Sequence, residues 1–378
     1  MHDPTVSFVV PCYKLAHFLP ECVNSILAQT YADFEVLIMD DCSPDETAEV
    51  ARSFQDRRVK HIRNDPNLGA LPNYNKGIKL SRGKYVWLIS ADDYLLRPYV
   101  LQSYVDLMDA HPRIGFTFCP GIGVKNGRET GLLKYSTYGG RDRIVSGRAF
   151  LKKLLFGDFV LAPAAMARRE FYETISIFPI NPVWGGVRVD LIWGGDWYLW
   201  CAFALHGDVG YFAEPMACYR EHASSSTSVI TRDDIQNCFL TEIAVRWKIK
   251  QEADAAGYRD VSMKCLETVA IEYARHLTTK QYRSSTSTIT MAQFEGSLCK
   301  STSDEVERNW IRRRVFAELG ARHDHRGDLA AANKYYRAAT QLDPWMIKVQ
   351  LKKLLLSLGK PGHYLARSLR QLRQSGSG

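Results

Sequence analysis

The chain has 378 residues, of which 46% are hydrophobic and 24% are charged, as is ordinary for a globular protein of two or three domains. No apolar run reaches the roughly 18 residues that a transmembrane helix needs. The N-terminus has no basic stretch followed by an apolar stretch, so we predict no signal peptide and a cytoplasmic location.

The formal net charge is +8, and most of the excess lies in the C-terminal tail. Residues 345–378 contain seven Lys and Arg and no Asp or Glu, which leaves the rest of the chain nearly neutral. We therefore predict no nucleic-acid partner for the core. The nine cysteines include no Cys-x-x-Cys pair, which disfavours a zinc ribbon or a redox pair and favours reduced, mostly buried thiols.

Strand and helix patterns alternate through the first third of the chain. The predicted elements are strand 6–10, helix 18–29, strand 35–39, a helix from Ser43 with a capping box to Glu46, strand 59–63, helix 72–81, strand 84–89, helix 97–110 and strand 114–119. This alternation predicts an α/β fold with a doubly wound, mainly parallel sheet. Such sheets bind ligands beyond the carboxyl ends of their strands, where polar residues follow three of the predicted strands.

The sequence becomes less regular between about 120 and 225 and has a helical pattern from about 230 onward. One helical hairpin, about 307–344, has the spacing of a tetratricopeptide repeat. Its signature residues are Phe316, Leu319, Gly320, Ala332, Tyr336, Ala339 and Pro344, with a turn at Gly327-Asp328. A single repeat cannot bury its own apolar face, so the hairpin either packs on its neighbours or serves docking or oligomer formation.

Two acidic pairs end predicted strands. Asp92-Asp93 could hold Mg²⁺ or Mn²⁺ against a diphosphate, because hard cations prefer oxygen ligands. The alternative is that Asp93 caps the helix that follows. Asp40-Asp41 could accept hydrogen bonds from a nucleobase or a ribose, or could serve helix capping.

Two further residues are candidates for chemistry. Asp196 follows two glycines in a Trp-rich segment, where partial desolvation would raise its pKa toward the range of a general base. It could instead cap the helix predicted over 197–205. His222 lies near Arg220 and several serines, which suits diphosphate contact but is also typical of a polar loop.

Taken together, these motifs resemble the family 2 inverting glycosyltransferases of the GT-A fold. The resemblance rests on residues 6–13, 25–31, 34–43, 67–69, 83–85 and 91–94, and more loosely on 195–197 and 219–222. It implies a GT-A catalytic domain with a doubly wound, mostly parallel sheet over 1–228. An all-helical C-terminal region, 229–378, with a basic tail, 345–378, lies outside the resemblance.

The resemblance also implies roles for individual residues. It assigns nucleotide-sugar binding to Pro11, Tyr13, Asp41, Asn67 and Asp92, metal binding to Asp93 and His222, and the catalytic base to Asp196. It implies Mn²⁺ or Mg²⁺ as cofactor, a UDP or dTDP sugar as donor, and an acceptor hydroxyl on a glycan, a lipid-linked glycan or a small metabolite. Many members have Asp where Ser90 stands here, so the division of roles between Asp92 and Asp93 stays open.

Two rival functions predict different features. A sugar nucleotidyltransferase would have a Gly-rich basic loop where residues 11–14 read Pro-Cys-Tyr-Lys. An inactive core with a helical docking domain would differ from an enzyme in a donor hydrolysis assay.

The leucines of residues 364–374 share one helical face and the arginines share another. This pattern predicts either peripheral contact with an anionic membrane, at its inner face, or a terminal helix packed on the hairpin.

Overall fold

The computed structural model describes residues 2–175, 183–189, 191, 194–223, 225, 235–279 and 289–357. The chain divides into two compact units. The first comprises residues up to 182 together with 190–234, and the second comprises 183–189 together with the residues from 235 onward. The predicted domain boundary at 228–229 and the predicted amphipathic segment 364–374 both lie outside the described residues.

Strands and helices are numbered in chain order. The strands are β1 Val6–Cys12, β2 Phe34–Asp40, β3 Val59–Arg63, β4 Tyr85–Leu88, β5 Tyr94–Leu95, β6 Ile114–Phe118, β7 Gly121–Lys125, β8 Arg128–Leu132, β9 Arg143–Val145, β10 Ala165–Arg168, β11 Val183–Trp184, β12 Val187–Arg188, β13 Asp208–Tyr211 and β14 Ala217–Glu221. The helices are α1 Leu19–Leu27, α2 Thr47–Ser53, α3 Ala70–Leu80, α4 Val100–Ala110, α5 Gly147–Leu154, α6 Arg169–Thr174, α7 Gly195–His206, α8 Ile235–Ala255, α9 Arg259–Thr278, α10 Met291–Ser301, α11 Glu305–His325, α12 Leu329–Leu342 and α13 Ile347–Ser357.

The first unit is built on a sheet with the strand order β3-β2-β1-β4-β10-β6-β13-β9. Strands β1 to β4 are mutually parallel, and β10 runs antiparallel to both of its neighbours. Strands β1, β2 and β4 are buried along their whole length, as expected for parallel strands that are covered on both faces. A smaller sheet, β5-β14-β7-β8, lies in the same unit. The predicted α/β class with a mainly parallel sheet is confirmed.

The predicted start of the second helix is wrong. Helix α2 begins at Thr47 rather than near Ser43, and its N-cap residue, Glu46, makes no side-chain cap. The backbone N–H of Ser43 instead donates to the Asp40 carboxylate at 2.8 Å. The Ser43 hydroxyl accepts the N–H of Lys14 at 3.2 Å, so it joins two loops at the sheet edge.

The second unit is helical, apart from the hairpin of β11 and β12. Trp184 of this hairpin is buried against Trp247 of α8, with ring centroids 5.0 Å apart. Helices α11 and α12 form the predicted hairpin, in which the Tyr336 ring packs so closely on Gly320 that an added Cβ would lie 2.5 Å from it. The tetratricopeptide classification stays a prediction. Among the helices that the structure describes, none combines the length and apolar character needed to cross a membrane.

A close backbone approach at Gly83 joins the α3–β4 connection to β1. The Gly83 N–H donates to the Ser7 hydroxyl at 2.9 Å. A Cβ on Gly83 would lie 2.6 Å from the backbone nitrogen of Ser7, which cannot move without disturbing the central strand.

We therefore expect Gly83→Ala to lower the free energy of unfolding by about 1–3 kcal/mol, the usual cost of overpacking. Urea denaturation measures this change. Gly140→Ala is the matched control, because no atom lies within 4 Å of the position of its added Cβ. Equal stability of the two variants would contradict the close approach at Gly83.

Candidate active site

The acidic pair that follows β2 is held by internal hydrogen bonds. Asp40 is fully buried and accepts the Arg63 guanidinium at 2.6 Å and the His61 ring at 3.1 Å. Burial alone would raise the pKa of Asp40, but the hydrogen bonds from Ser43, Arg63 and His61 lower it below its usual range. Asp40 is therefore an ionised anchor for the loop after β2.

Asp41 organises the loop at 67–69. Its carboxylate accepts the backbone N–H groups of Leu68 and Gly69 at 2.8 and 2.9 Å and the side-chain amide of Asn64 at 2.8 Å. The Asn67 amide donates to the Asp41 carbonyl at 2.6 Å. Asp41 and Asn67, both predicted to bind the nucleotide, thus lie together at the carboxyl end of β2.

Asp92 and His222 form a pair across two elements. The His222 Nε2 lies 2.9 Å from the Asp92 Oδ2, although the two residues are 130 apart in the chain. The second carboxylate oxygen of Asp92, Oδ1, is buried and has no hydrogen-bond partner among the residues that the structure describes. A buried carboxylate oxygen without a donor is costly, unless a cation or ligand satisfies it.

Asp93 has a different environment. Its Oδ1 accepts the backbone N–H of Arg220 at 2.8 Å, and the residue is almost completely buried. Burial, together with the neighbouring charge of Asp92, raises the pKa of Asp93 well above its usual value. Asp93 therefore connects the turn after β4 to strand β14.

Asp196 lies inside the first turn of α7, so the alternative that it caps this helix is wrong. The N-cap residue is Gly194, which has a left-handed backbone conformation with φ 76°. The Asp196 Oδ1 accepts the N–H of Trp197 at 2.8 Å. Burial raises the pKa of Asp196, as expected for a general base in a partly apolar pocket.

A second carboxylate, Asp158, lies near Asp196, and sequence reasoning missed it. The Trp197 indole donates to the Leu154 carbonyl at 3.0 Å and thereby ties α7 to the end of α5. Asp158 follows in the next loop, accepts the N–H of Val160 at 2.9 Å and reaches solvent. Surrounding protein atoms raise its pKa well above the usual value, and the charge of Asp196 raises it further.

Tyr74 of α3 is influenced by four of the predicted acids. Burial raises the pKa of its hydroxyl, and four carboxylates raise it further. In decreasing order of effect they are Asp92, Asp196, Asp93 and Asp41. Because Coulomb interactions decay with distance, all four carboxylates are near enough for their charges to act on this hydroxyl. No sequence signal points to Tyr74, since an isolated Tyr in a helix has no motif.

The two remaining predicted residues lie on and just beyond β1. Pro11 is buried in β1, and its carbonyl accepts the N–H of Ala91 at 3.1 Å, next to the acidic pair. Tyr13 is exposed, with the Lys14 ammonium 5.1 Å from its ring centroid. An exposed ring at this edge can stack on a planar base.

The described residues contain no group of three or more His, Cys, Asp and Glu side chains that could hold a metal by themselves. Asp92 and His222 supply one carboxylate oxygen and one imidazole, both of which suit Mn²⁺. The buried Asp92 Oδ1 also fits a cation that completes its coordination with ligand oxygens, as Mg²⁺ and Mn²⁺ do with phosphates.

A cavity of about 590 Å³ lies elsewhere in the first unit, beside Thr5 and Lys84, which precede β1 and β4. Several of its charged residues are paired with each other: Lys84 with Asp109 at 2.5 Å and Arg169 with Glu173 at 2.7 Å. Charges that neutralise each other attract a charged ligand only weakly. The candidate site therefore remains at the carboxyl ends of the strands.

Comparison with known proteins agrees with this geometry. The sequence profile described as glycosyl transferase family 2 matches residues 7–175. The crystal structure of Staphylococcus aureus TarS 1–349 in complex with UDP-GlcNAc superposes with a TM-score of 0.59. The superposition covers 89% of this chain and 90% of that one at 16% identity. Residues 7–175 thus resemble a glycosyl transferase family 2 domain, and the chain shares the fold of TarS, as its motifs predicted.

Similar sequences match over shorter stretches. The uncharacterized glycosyltransferase EpsJ of Bacillus subtilis is 37% identical over 94 residues, which are 24% of this chain and 27% of EpsJ. The Escherichia coli protein WfgD, a UDP-Glc:α-D-GlcNAc-diphosphoundecaprenol β-1,3-glucosyltransferase, is 34% identical over 93 residues, 25% of this chain and 37% of WfgD. The matched segments thus span well under half of these two relatives.

The Asp41 network leads to a prediction for stability. Asp41→Asn replaces one accepting oxygen with an NH₂ group that faces N–H donors. We expect the free energy of unfolding to fall by about 1–3 kcal/mol, because buried donors lose their acceptor. Urea denaturation measures this. Asp142→Asn is the control, since Asp142 is exposed and accepts one N–H, from Ala213. If the two variants were equally stable, Asp41 would not hold the loop.

Proposed function

We propose that this protein transfers a sugar from a nucleoside-diphosphate sugar, with UDP or dTDP as the nucleotide, to an acceptor hydroxyl with inversion. Support for the donor comes from two similar proteins. TarS was crystallised with UDP-GlcNAc, and WfgD is named for a UDP-Glc donor. The acceptor class is a glycan, a lipid-linked glycan or a small metabolite, and the name of WfgD specifies a lipid-linked acceptor.

The pairing of Asp92 with His222 carries this proposal. These two residues would hold Mn²⁺ or Mg²⁺. In the described part of the chain, one buried oxygen of Asp92 has no donor, and His222 lies 2.9 Å from its other oxygen. The bound cation would stabilise the negative charge of the leaving diphosphate.

This assignment changes the roles predicted for the acidic pair. Asp93 was the predicted metal ligand, but one of its oxygens already accepts the Arg220 N–H, whereas one oxygen of Asp92 has no donor among the residues that the structure describes. We assign Asp93 to holding β14 in place, and Asp92 to the metal rather than to the ribose.

Asp196 would act as the general base. Its raised pKa makes its carboxylate a better proton acceptor than an exposed Asp would be. It would take the proton of the acceptor hydroxyl as the oxygen attacks the anomeric carbon and the bond to the diphosphate breaks. Asp41, Asn67, Pro11 and Tyr13 would bind the nucleoside at the ends of β1 and β2.

We expect Asp196→Asn to lower kcat for transfer by about 10²–10⁴-fold, the range attributed to general-base catalysis. The Kd for UDP with Mn²⁺ should stay within about twofold, because in the proposed role Asp196 would contact the acceptor and not the nucleotide. Steady-state assays with UDP sugars and calorimetry measure the two quantities. Asp142→Asn is the control and should match the wild type in both. Wild-type turnover in Asp196→Asn would remove Asp196 from the reaction.

Asp158 leads to a prediction for pH dependence. The base works only when Asp196 is deprotonated, so activity should fall as pH is lowered through its raised pKa. The pKa of Asp158 is raised further than that of Asp196, so Asp158 is still protonated when Asp196 loses its proton. Asp158→Asn therefore replaces one neutral group with another, and we expect the acidic limb of the kcat profile to stay in place.

The control for this experiment is again Asp142→Asn, which removes a carboxylate outside the candidate site. Its profile should coincide with that of the wild type. An acidic limb that moves to lower pH in Asp158→Asn would show that Asp158 is ionised before Asp196 and would contradict this order of ionisation.

A further inference from the structure

Helix α13 of the second unit has two apolar faces, and among the residues that the structure describes, only one of these faces is covered by the rest of the unit. Val349 and Leu356 are buried against Ala332, Tyr336 and Ala339 of α12. This contact holds the helix on the α11–α12 hairpin. Other apolar residues of α13, among them Ile347, Leu351 and Leu354, are exposed.

The outward face carries a continuous apolar stripe. Ile347, Leu351 and Leu354 are 69%, 55% and 60% exposed, and their spacing of four and three residues places them along one side of the helix. Trp345, just before the helix, is 85% exposed. We define these four residues as the outer stripe. Single exposed apolar residues are common on proteins, but a contiguous set indicates an interaction surface.

Lysines flank the outer stripe. Lys348 is exposed and Lys353 is partly buried, and they lie on opposite sides of the outer stripe. The Lys352 ammonium instead lies 5.6 Å from the centroid of the Tyr336 ring, on the covered side of the helix. Residues 345–357 contain no Asp or Glu. Lysine stems can lie along an apolar surface while their ammonium groups extend toward anions beside it.

We infer that the outer stripe docks on an anionic lipid surface, with α13 lying parallel to the membrane. An apolar face with a Trp at its edge and lysines on both sides matches a membrane interface, where apolar side chains enter the acyl boundary and ammonium groups meet lipid phosphates. This inference rests on the second unit alone and does not depend on the proposed transfer reaction.

Charge favours lipid over a second copy of the chain. A symmetric pairing of two outer stripes would bring Lys348 and Lys353 of one copy close to those of the other, with no acidic residue on either α13 to offset them. An anionic bilayer supplies the missing negative charge. Each lysine near such a surface strengthens binding by about fivefold, and the effect is weakened by salt.

Co-sedimentation of the full chain with vesicles tests this inference. One set of vesicles contains phosphatidylcholine alone, and the other contains phosphatidylglycerol in addition. We expect binding only to the second set, with a decrease at higher salt. Leu354→Glu and Lys348→Glu should each lower the partition coefficient by about tenfold, through lost apolar insertion and reversed charge.

Val306→Glu is the matched control, because Val306 is an isolated aliphatic residue of α11 that is 78% exposed. It should bind vesicles as the wild type does. Both Glu variants replace exposed residues, and circular dichroism checks that they fold.

Three results would overturn the inference. The first is no binding of the full chain to anionic vesicles. The second is binding that survives Leu354→Glu but is lost on removing residues 358–378, which would assign the membrane contact to that segment. The third is a dimer in solution that Leu354→Glu dissociates without changing vesicle binding, which would make a second copy the occupant of the outer stripe.

Discussion

The candidate site depends on how Arg220 holds the acidic turn after β4. Its backbone N–H donates to the Asp93 carboxylate at 2.8 Å, and its guanidinium donates to the Asp92 carbonyl at 2.7 Å and to Glu21. The guanidinium also lies over the Phe18 ring, 4.4 Å from its centroid. A buried charge is costly unless it is paired, and Glu21 of α1 pairs the charge of Arg220. Through these bonds Arg220 links the turn after β4 and helix α1 to strand β14. Because Arg220 fixes β14, His222 lies within reach of Asp92 two residues later.

The acids of the first unit divide into structural and chemical groups by their partners. Asp40 and Asp41 accept several hydrogen bonds each, and those bonds hold the loops after β2 and β3. Asp92 has a buried oxygen that no donor in the described ranges reaches, and burial raises the pKa of Asp196. Carboxylates that accept several hydrogen bonds support the loops of the site. Carboxylates that lack a donor or have a raised pKa are the ones where binding of a cation or a proton is most favourable.

The sequence predicted the fold well where its signals were local and strong. Strands β1, β2 and β4 are continuous apolar runs that end in polar residues, so both their existence and the location of the site were predictable. The order of the family motifs then specified the GT-A fold. The cap at Ser43 was predicted wrongly because Asp40, three residues earlier, takes the Ser43 N–H and moves the helix start to Thr47.

Long-range contacts were beyond sequence reasoning. His222 pairs with Asp92, and the Arg220 N–H donates to Asp93. Both contacts depend on the pairing of β14 with β5, which no local pattern encodes. Asp158 has no motif and joins Asp196 only because α5 packs near α7. The outer stripe of α13 was also missed, since its two apolar faces become distinct only when one is covered by α12.

The most direct test of the metal site at Asp92 and His222 is calorimetric titration of UDP with and without Mn²⁺ in the wild type, Asp92→Asn and Asp93→Asn. We expect Mn²⁺ to tighten UDP binding in the wild type by about tenfold or more, as a cation that bridges protein and diphosphate would. Asp92→Asn should lose this gain, and Asp93→Asn should keep most of it. A gain that persists in Asp92→Asn and disappears only in Asp93→Asn would contradict the assignment.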